Sequence, residues 1–316
     1  MFKKFAAQSA GLLCALALGL TPAGAAEKLT VLLDWYVNPD HAPLIIAKEK
    51  GFFDAHGLDV ELVPPADPSA PPRLVAAGQA DIAVSYQPNL YLSVKEGLPL
   101  ARIGTLVSTP LTALVVLKDG PVKSIADLKG KMVGYSVAGF EDALLGTMLA
   151  SAGLQPGDVT MINVNFALSP ALVSGKVDAV IGAYRNFELT QIRLEGKEGR
   201  AFFPEEHGVP VFDELIYVAH KDKLADPRLK RFLAAVEDAT IYVLNHPDEA
   251  WGIFVKANPK LDDELNRTAW TDTLRRFAHA PAALDSERYA RFGEFMKSHK
   301  LIDTVEPVST YAPALP

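Results

Sequence analysis

Short apolar runs alternate with segments of helical apolar spacing through the first two-thirds of the chain. The runs predict strands at 29–34, 58–63, 81–85, 101–107, 113–117, 132–135, 159–164, 179–182 and 215–219. Helices are predicted between them at about 42–50, 72–78, 89–95, 140–151, 170–174 and 188–195. After Leu224 only the helical pattern continues, at about 227–245, 247–257, 262–276 and 284–297. Strand and helix in alternation are the signature of mostly parallel sheets covered by helices, so the fold class is α/β. The proline-rich stretch 63–72 reads as a stiff loop rather than a linker, because strand-helix units continue on both sides of it.

The pattern also echoes itself. Gly78-Gln79-Ala80-Asp81 leads into Ile82-Ala83-Val84-Ser85-Tyr86, and Gly175-Lys176-Val177-Asp178 leads into Ala179-Val180-Ile181-Gly182-Ala183-Tyr184. In each, a helix ends at glycine, aspartate opens an apolar strand, and tyrosine stands at the strand's carboxyl end. Two lobes of similar design are the simplest cause. Because ligands of open α/β sheets bind beyond the carboxyl ends of the strands, facing lobes would bring Tyr86 and Tyr184 to one cleft. The alternative is that each tyrosine caps its own core.

Composition narrows the function. With 316 residues, 49% hydrophobic and 22% charged, the chain is long enough for about two globular domains at roughly 150 residues each. Its net charge of −7 argues against nucleic acid as a partner. Residues 1–25 read as an export signal: Lys3 and Lys4, an apolar run from Ala10 to Leu20, then the small-residue site Ala23-Gly24-Ala25. The single cysteine, Cys14, lies inside it, so an exported chain would have no disulfide and no thiol nucleophile. The expected location is a bacterial periplasm.

Enzyme signatures are mostly missing: no Gly-x-Gly-x-x-Gly, no phosphate loop and no His-Glu-x-x-His. The seven histidines show no paired ligand spacing, so neither a metal nor a cofactor is expected. Gly134-Tyr135-Ser136-Val137-Ala138 is the nearest approach to a nucleophile elbow, without its final glycine, and Ser136 more simply serves the turn or the cleft. What remains at strand ends is aromatic and neutral polar: Trp35 and Asn38, Tyr86 and Gln87, Phe140 and Glu141, Tyr184 to Glu188. Such faces suit a flat, nearly uncharged heterocycle, whereas sulfonate, nitrate or phosphate would call for several cations, and only Arg185 stands among these residues. Structural roles are open for each. Trp35 could be core, Asp34 a strand end, Asp40 a cap for the helix near Ala42, His41 a structural histidine and Glu188 a first-turn helix acid.

The segment Leu33-Asp34-Trp35-Tyr36-Val37-Asn38-Pro39-Asp40-His41, with Tyr86-Gln87-Pro88 and Gly182-Ala183-Tyr184-Arg185-Asn186-Phe187-Glu188, resembles the thiamine-pyrimidine branch of the periplasmic binding proteins. The resemblance implies a two-lobed, hinged, type II-like fold with a helical C-terminal segment. Lobe one would comprise 26–117 and 213–316, lobe two 118–212, with hinges near Lys118 and Val211. It further implies a monomeric receptor that captures an aminopyrimidine, such as the formylated thiamine-salvage intermediate, and delivers it to an ABC permease driven by a separate ATPase. Trp35 and Tyr86 would stack on the ring, Asn38 would hydrogen-bond, and Glu188 would read the amino edge. His41, Tyr184 and Asn186 would complete the pocket, with Asp34, Ser85, Phe140 and Glu141 as further contacts. The branch also includes fungal pyrimidine synthases, which carry a cofactor-linking lysine and an essential histidine where this chain has Ser85 and Asn89. A synthase, a hydrolase at Ser136, and a receptor for another flat heterocycle such as a flavin, or for a small oxyanion, are the competing readings.

Overall fold

The computed structural model describes residues 25–316. The segment expected to be an export signal, Cys14 included, therefore lies outside the described residues, apart from Ala25. Ten strands occur in chain order: β1 Glu27–Leu32, β2 Leu58–Val63, β3 Ile82–Ser85, β4 Leu100–Val107, β5 Thr112–Leu117, β6 Met132–Tyr135, β7 Thr160–Asn163, β8 Ala179–Tyr184, β9 Gly199–Phe202 and β10 Leu215–His220. The helices are α1 Ala42–Glu49, α2 Phe52–Ala55, α3 Pro71–Ala76, α4 Gln87–Lys95, α5 Phe140–Ser151, α6 Leu168–Val173, α7 Glu188–Leu194, α8 Pro227–Asn245, α9 Pro247–Ala257, α10 Glu264–Thr273, α11 Ser286–Ser298 and α12 Val308–Tyr311.

The strands form two five-stranded sheets, ordered β2-β1-β3-β10-β4 and β7-β6-β8-β5-β9. In each, three parallel strands are followed by one antiparallel strand, which comes directly after a crossover from the other sheet. The two sheets are thus the same design, and β3 and β8, the strands of the sequence echo, occupy equivalent places. Residues of β3 and β4 are buried throughout, as befits strands covered on both faces. The second sheet separates two apolar layers by the period of two: Leu114, Val116, Ala179 and Ile181 face one, Ala113, Val115, Val180 and Ala183 the other.

One boundary is corrected. Strand β5 pairs with β8 and β9 in the second sheet, so the chain crosses between sheets at 108–111 and not near Lys118. Strand β9 was not predicted, because Gly199-Arg200-Ala201-Phe202 is a half-buried edge strand without an apolar run. The C-terminal helices complete the first lobe. Helix α8 starts at the cap Asp226, whose carboxylate accepts the Arg228 N–H, and packs on α1 and α2. Helix α10 reaches furthest: it touches both the turn at Pro39–His41 and helix α7 of the second lobe.

Candidate ligand-binding site

A narrow pocket opens where the carboxyl ends of β1, β3, β6 and β8 face each other. Its wall contains Trp35, Tyr86, Phe140, Tyr184 and Phe187, the acidic residues Asp34, Asp40, Glu141 and Glu188, and Asn38. Val137, Leu168 and Gly182 complete it, and no lysine or arginine is among the lining residues. Eight residues singled out from the sequence are brought together here: Asp34, Trp35, Asn38, Tyr86, Phe140, Glu141, Tyr184 and Glu188.

The first lobe's wall is built on Asp34, just past β1. Its Oδ2 accepts the Tyr86 hydroxyl at 3.0 Å and its Oδ1 accepts His41 Nε2–H at 2.9 Å. His41 Nδ1 faces the Asn38 backbone N–H at 3.3 Å, so Nδ1 is the acceptor and the ring proton sits on Nε2. His41 is wholly buried and aligns Asp34, which in turn fixes the Tyr86 ring; it does not line the pocket. The Asn38 side chain accepts the Asp40 N–H at 2.8 Å, so Asn38, not Asp40, caps this turn. Trp35 lies half-buried between the lobes, edge-on to Phe166 of the second lobe at 4.5 Å and 68°.

The second lobe contributes two buried glutamates. Glu141 stands in the first turn of α5 and accepts the Ser136 N–H at 2.6 Å. Burial raises its carboxyl well above the usual range, against the lowering effect of the Ser136 and Val137 amides. Glu188 opens α7 and accepts the Tyr184 N–H at 2.6 Å. Burial pushes its pKa up to about 8, so near neutral pH it carries a proton. Tyr184 lines the pocket, and its hydroxyl has no protein partner. At Gly182, φ is +90° and the Ala113/Leu114 register shifts, marking a β-bulge that lets Glu141 lie against the strand.

Three expected contacts do not line this wall. Besides His41, Ser85 is buried within β3. Asn186 is turned to Asp40 and Thr273, donating from Nδ2 to Asp40 Oδ1 and Thr273 Oγ1, each at 2.7 Å. Ser136 is likewise occupied, its hydroxyl bonded to the Asn165 carbonyl. Arg185 also turns away, pairing with Glu205 at 2.6 Å and donating to the carbonyls of Leu111 and Thr112. Sequence reasoning missed Asp40, Val137, Leu168 and Gly182 as wall residues and named Phe187 only within the stretch Tyr184 to Glu188; Asp40, polar and beside His41, also carried a signal.

The carboxylate of Glu214 accepts the Leu111 and Thr112 N–H groups at 2.5 and 2.8 Å and the Thr112 hydroxyl at 2.7 Å. It therefore ties the returning crossover to the outgoing one. Burial raises its pKa to about 7 despite these donors. Among the described residues, no group of three or more His, Cys, Asp or Glu could hold a metal ion, and no helix is long and apolar enough to cross a membrane.

A Haemophilus influenzae protein whose name assigns it to thiamine biosynthesis is 55% identical, covering 92% of this chain and 93% of its own. A formylaminopyrimidine-binding protein of Halalkalibacterium halodurans is 35% identical over 88% and 87%. More distant, a Legionella pneumophila protein named 4-amino-5-hydroxymethyl-2-methylpyrimidine phosphate synthase is 28% identical over 88% of each. Among solved structures, the alkanesulfonate-binding protein of Xanthomonas axonopodis pv. citri bound to MOPS superposes with a TM-score of 0.71, 16% identity and 91% and 99% coverage. That likeness establishes the periplasmic-binding-protein fold. The NMT1/THI5-like family pattern matches residues 38–250, and to that family the chain belongs.

Proposed function

We propose that the protein is the periplasmic solute receptor of an ABC importer and captures an aminopyrimidine, such as N-formyl-4-amino-5-aminomethyl-2-methylpyrimidine, between its lobes. One observation carries this reading: the pocket wall combines five aromatic residues with four acidic ones and includes no lysine or arginine. A sulfonate or nitrate would meet no balancing lysine or arginine there, whereas a flat ring bearing amino groups meets stacking faces and acceptors. Protonated Glu188 adds specificity, because a carboxylic acid donates O–H to a ring nitrogen while its carbonyl oxygen accepts the neighbouring amino N–H. The two lobes would close on the ligand by bending at the crossovers 108–111 and 203–214, and a permease would read the closed form. The 35% identical formylaminopyrimidine-binding relative supports the ligand class.

The synthase reading is weaker here. Ser85 and Asn89 stand where the fungal synthases it resembles carry a lysine and a histidine, so this pocket offers no amine to link a cofactor. The test is titration of the purified protein with aminopyrimidines and with alkanesulfonates, followed by mass spectrometry of the bound compound. Saturable binding of an unaltered pyrimidine is expected. Binding confined to sulfonates, or turnover of the pyrimidine, would overturn the reading.

A further inference from the structure

Asp40 and Asn186 approach the cleft from opposite lobes and meet behind the pocket. Asp40 sits in the short turn after β1, 2% exposed, and also forms part of the pocket wall. Asn186 lies between β8 and α7, equally buried, and does not line the pocket. Its amide spends both protons on the first lobe, one on Asp40 Oδ1 and one on Thr273 Oγ1 at the end of α10. The Thr273 hydroxyl is in turn 2.7 Å from both Asp40 Oδ1 and the Ala269 carbonyl. On the other side of the amide, Asn186 Oδ1 is buried without a partner, so the residue's connections all run across the cleft. The same α7–α10 contact carries the Arg193–Glu264 pair on its outside, at 2.7 Å but more than half exposed on both sides, where such a pair contributes little.

We infer that Asn186 is a closure latch rather than a ligand contact, and that Asp40 couples the latch to pocket occupancy. The coupling follows from one carboxylate serving two sites. Its Oδ1 holds Asn186 and Thr273, while Asp40 is also a lining residue of the pocket, where no lysine or arginine lines the wall. A ligand N–H donated to Asp40 favours its ionised form, and an ionised acceptor strengthens the bonds that hold the lobes together. Occupancy and closure then stabilise each other, as linkage requires. The role of the ligand N–H rests on the aminopyrimidine reading; the latch itself does not.

The experiment uses the full exported chain with one spin label on each lobe, and compares wild type with Asn186→Ala and Thr273→Val. With an aminopyrimidine bound, stopped-flow kinetics should show dissociation about tenfold to a hundredfold faster in Asn186→Ala, while association stays within about twofold. The label distances should shift toward an open form in both variants. Thr273→Val, nearly isosteric, carries the test should Asn186→Ala not fold. Unchanged dissociation with unchanged distances overturns the latch. If wild type binds no pyrimidine, the ligand reading fails separately. The latch is then judged on ligand-free distances, where opening in either variant supports it and identical distributions in all three proteins overturn it.

Discussion

Tyr86 leaves the first sheet and Phe140 opens the first helix of the second lobe after β6, yet their rings lie parallel, with centroids 4.8 Å apart and planes 7° apart. Both rings also border the pocket, so the stack is a lobe-to-lobe contact made beside the ligand space. Aromatic pairs of this geometry contribute about 0.5–1.5 kcal/mol beyond the area they bury. Phe140→Leu keeps apolar volume and removes the stack, so ligand affinity should fall about threefold to tenfold in calorimetric titration. An unchanged affinity would show that the stack does not stabilise the closed form.

Trp35 is the one tryptophan of three that lines the pocket. Trp251 and Trp270 are packed on one another at 5.4 Å, with 6% and 3% of their surfaces exposed. A ligand-induced change in tryptophan emission should therefore arise at residue 35 alone. Trp35→Phe should abolish the emission change while calorimetry still detects binding. Trp35→Ala should cost the stacking energy, about 1–3 kcal/mol, or roughly tenfold to a hundredfold in affinity. A persisting emission change in Trp35→Phe would place the reporter elsewhere.

How much of this site could be read from the sequence depended on where a residue sits relative to its strand. Trp35, Tyr86 and Tyr184 stand at or just past the ends of β1, β3 and β8, and the alternation that reveals a strand also reveals its carboxyl end. The α/β class and the paired design were legible for the same reason. The hydrogen bond between Asp40 and Asn186 was not legible because it joins residues 146 apart in the chain, and nothing local marks such a pair. Strand β5 was placed with the wrong sheet on similar grounds. An apolar run specifies that a strand is buried, whereas its partners are fixed by the two crossovers, which Glu214 ties together from far along the chain.

The raised carboxyl groups predict an unusual stability profile. Glu188 goes from an ordinary 4.5 to about 8 on folding, and Glu214 from 4.5 to about 7. Each folded acid holds its proton more tightly than the unfolded chain does. Their contribution is therefore complete below pH 4.5 and is lost as pH rises, through about 7 for Glu214 and about 8 for Glu188. Within that window each such group tilts stability downward by about 1.4 kcal/mol per pH unit. Urea denaturation of ligand-free protein at several pH values should show the slope, and Glu188→Gln, which cannot ionise, should flatten its upper end. A profile identical in the two proteins would mean that Glu188 ionises freely in the fold. Affinity for a neutral aminopyrimidine should likewise weaken above pH 8 in wild type and lose that dependence in Glu188→Gln.

The most demanding position for backbone and pocket together is Gly182. Its φ of +90° is a conformation that side chains rarely adopt, and a Cβ built there would lie 2.0 Å from Oε1 of Glu141. Two costs would then combine in Gly182→Ala. The backbone strain is about 1–2 kcal/mol, and the buried Glu141 carboxyl must leave its place against the strand or the bulge must reopen. Gly78 separates the two, since its φ is +71° with nothing within 4 Å of the added carbon. Gly78→Ala should lower stability by the strain alone and leave ligand affinity unchanged. Gly182→Ala should lower stability by more than that and weaken ligand binding at least tenfold even where the protein is fully folded, because the displaced carboxyl forms part of the pocket wall. Thermal melts and titrations on the two variants provide the comparison. Equal losses of stability with intact binding in both would show that Glu141 moves freely, so that the bulge does not set its position.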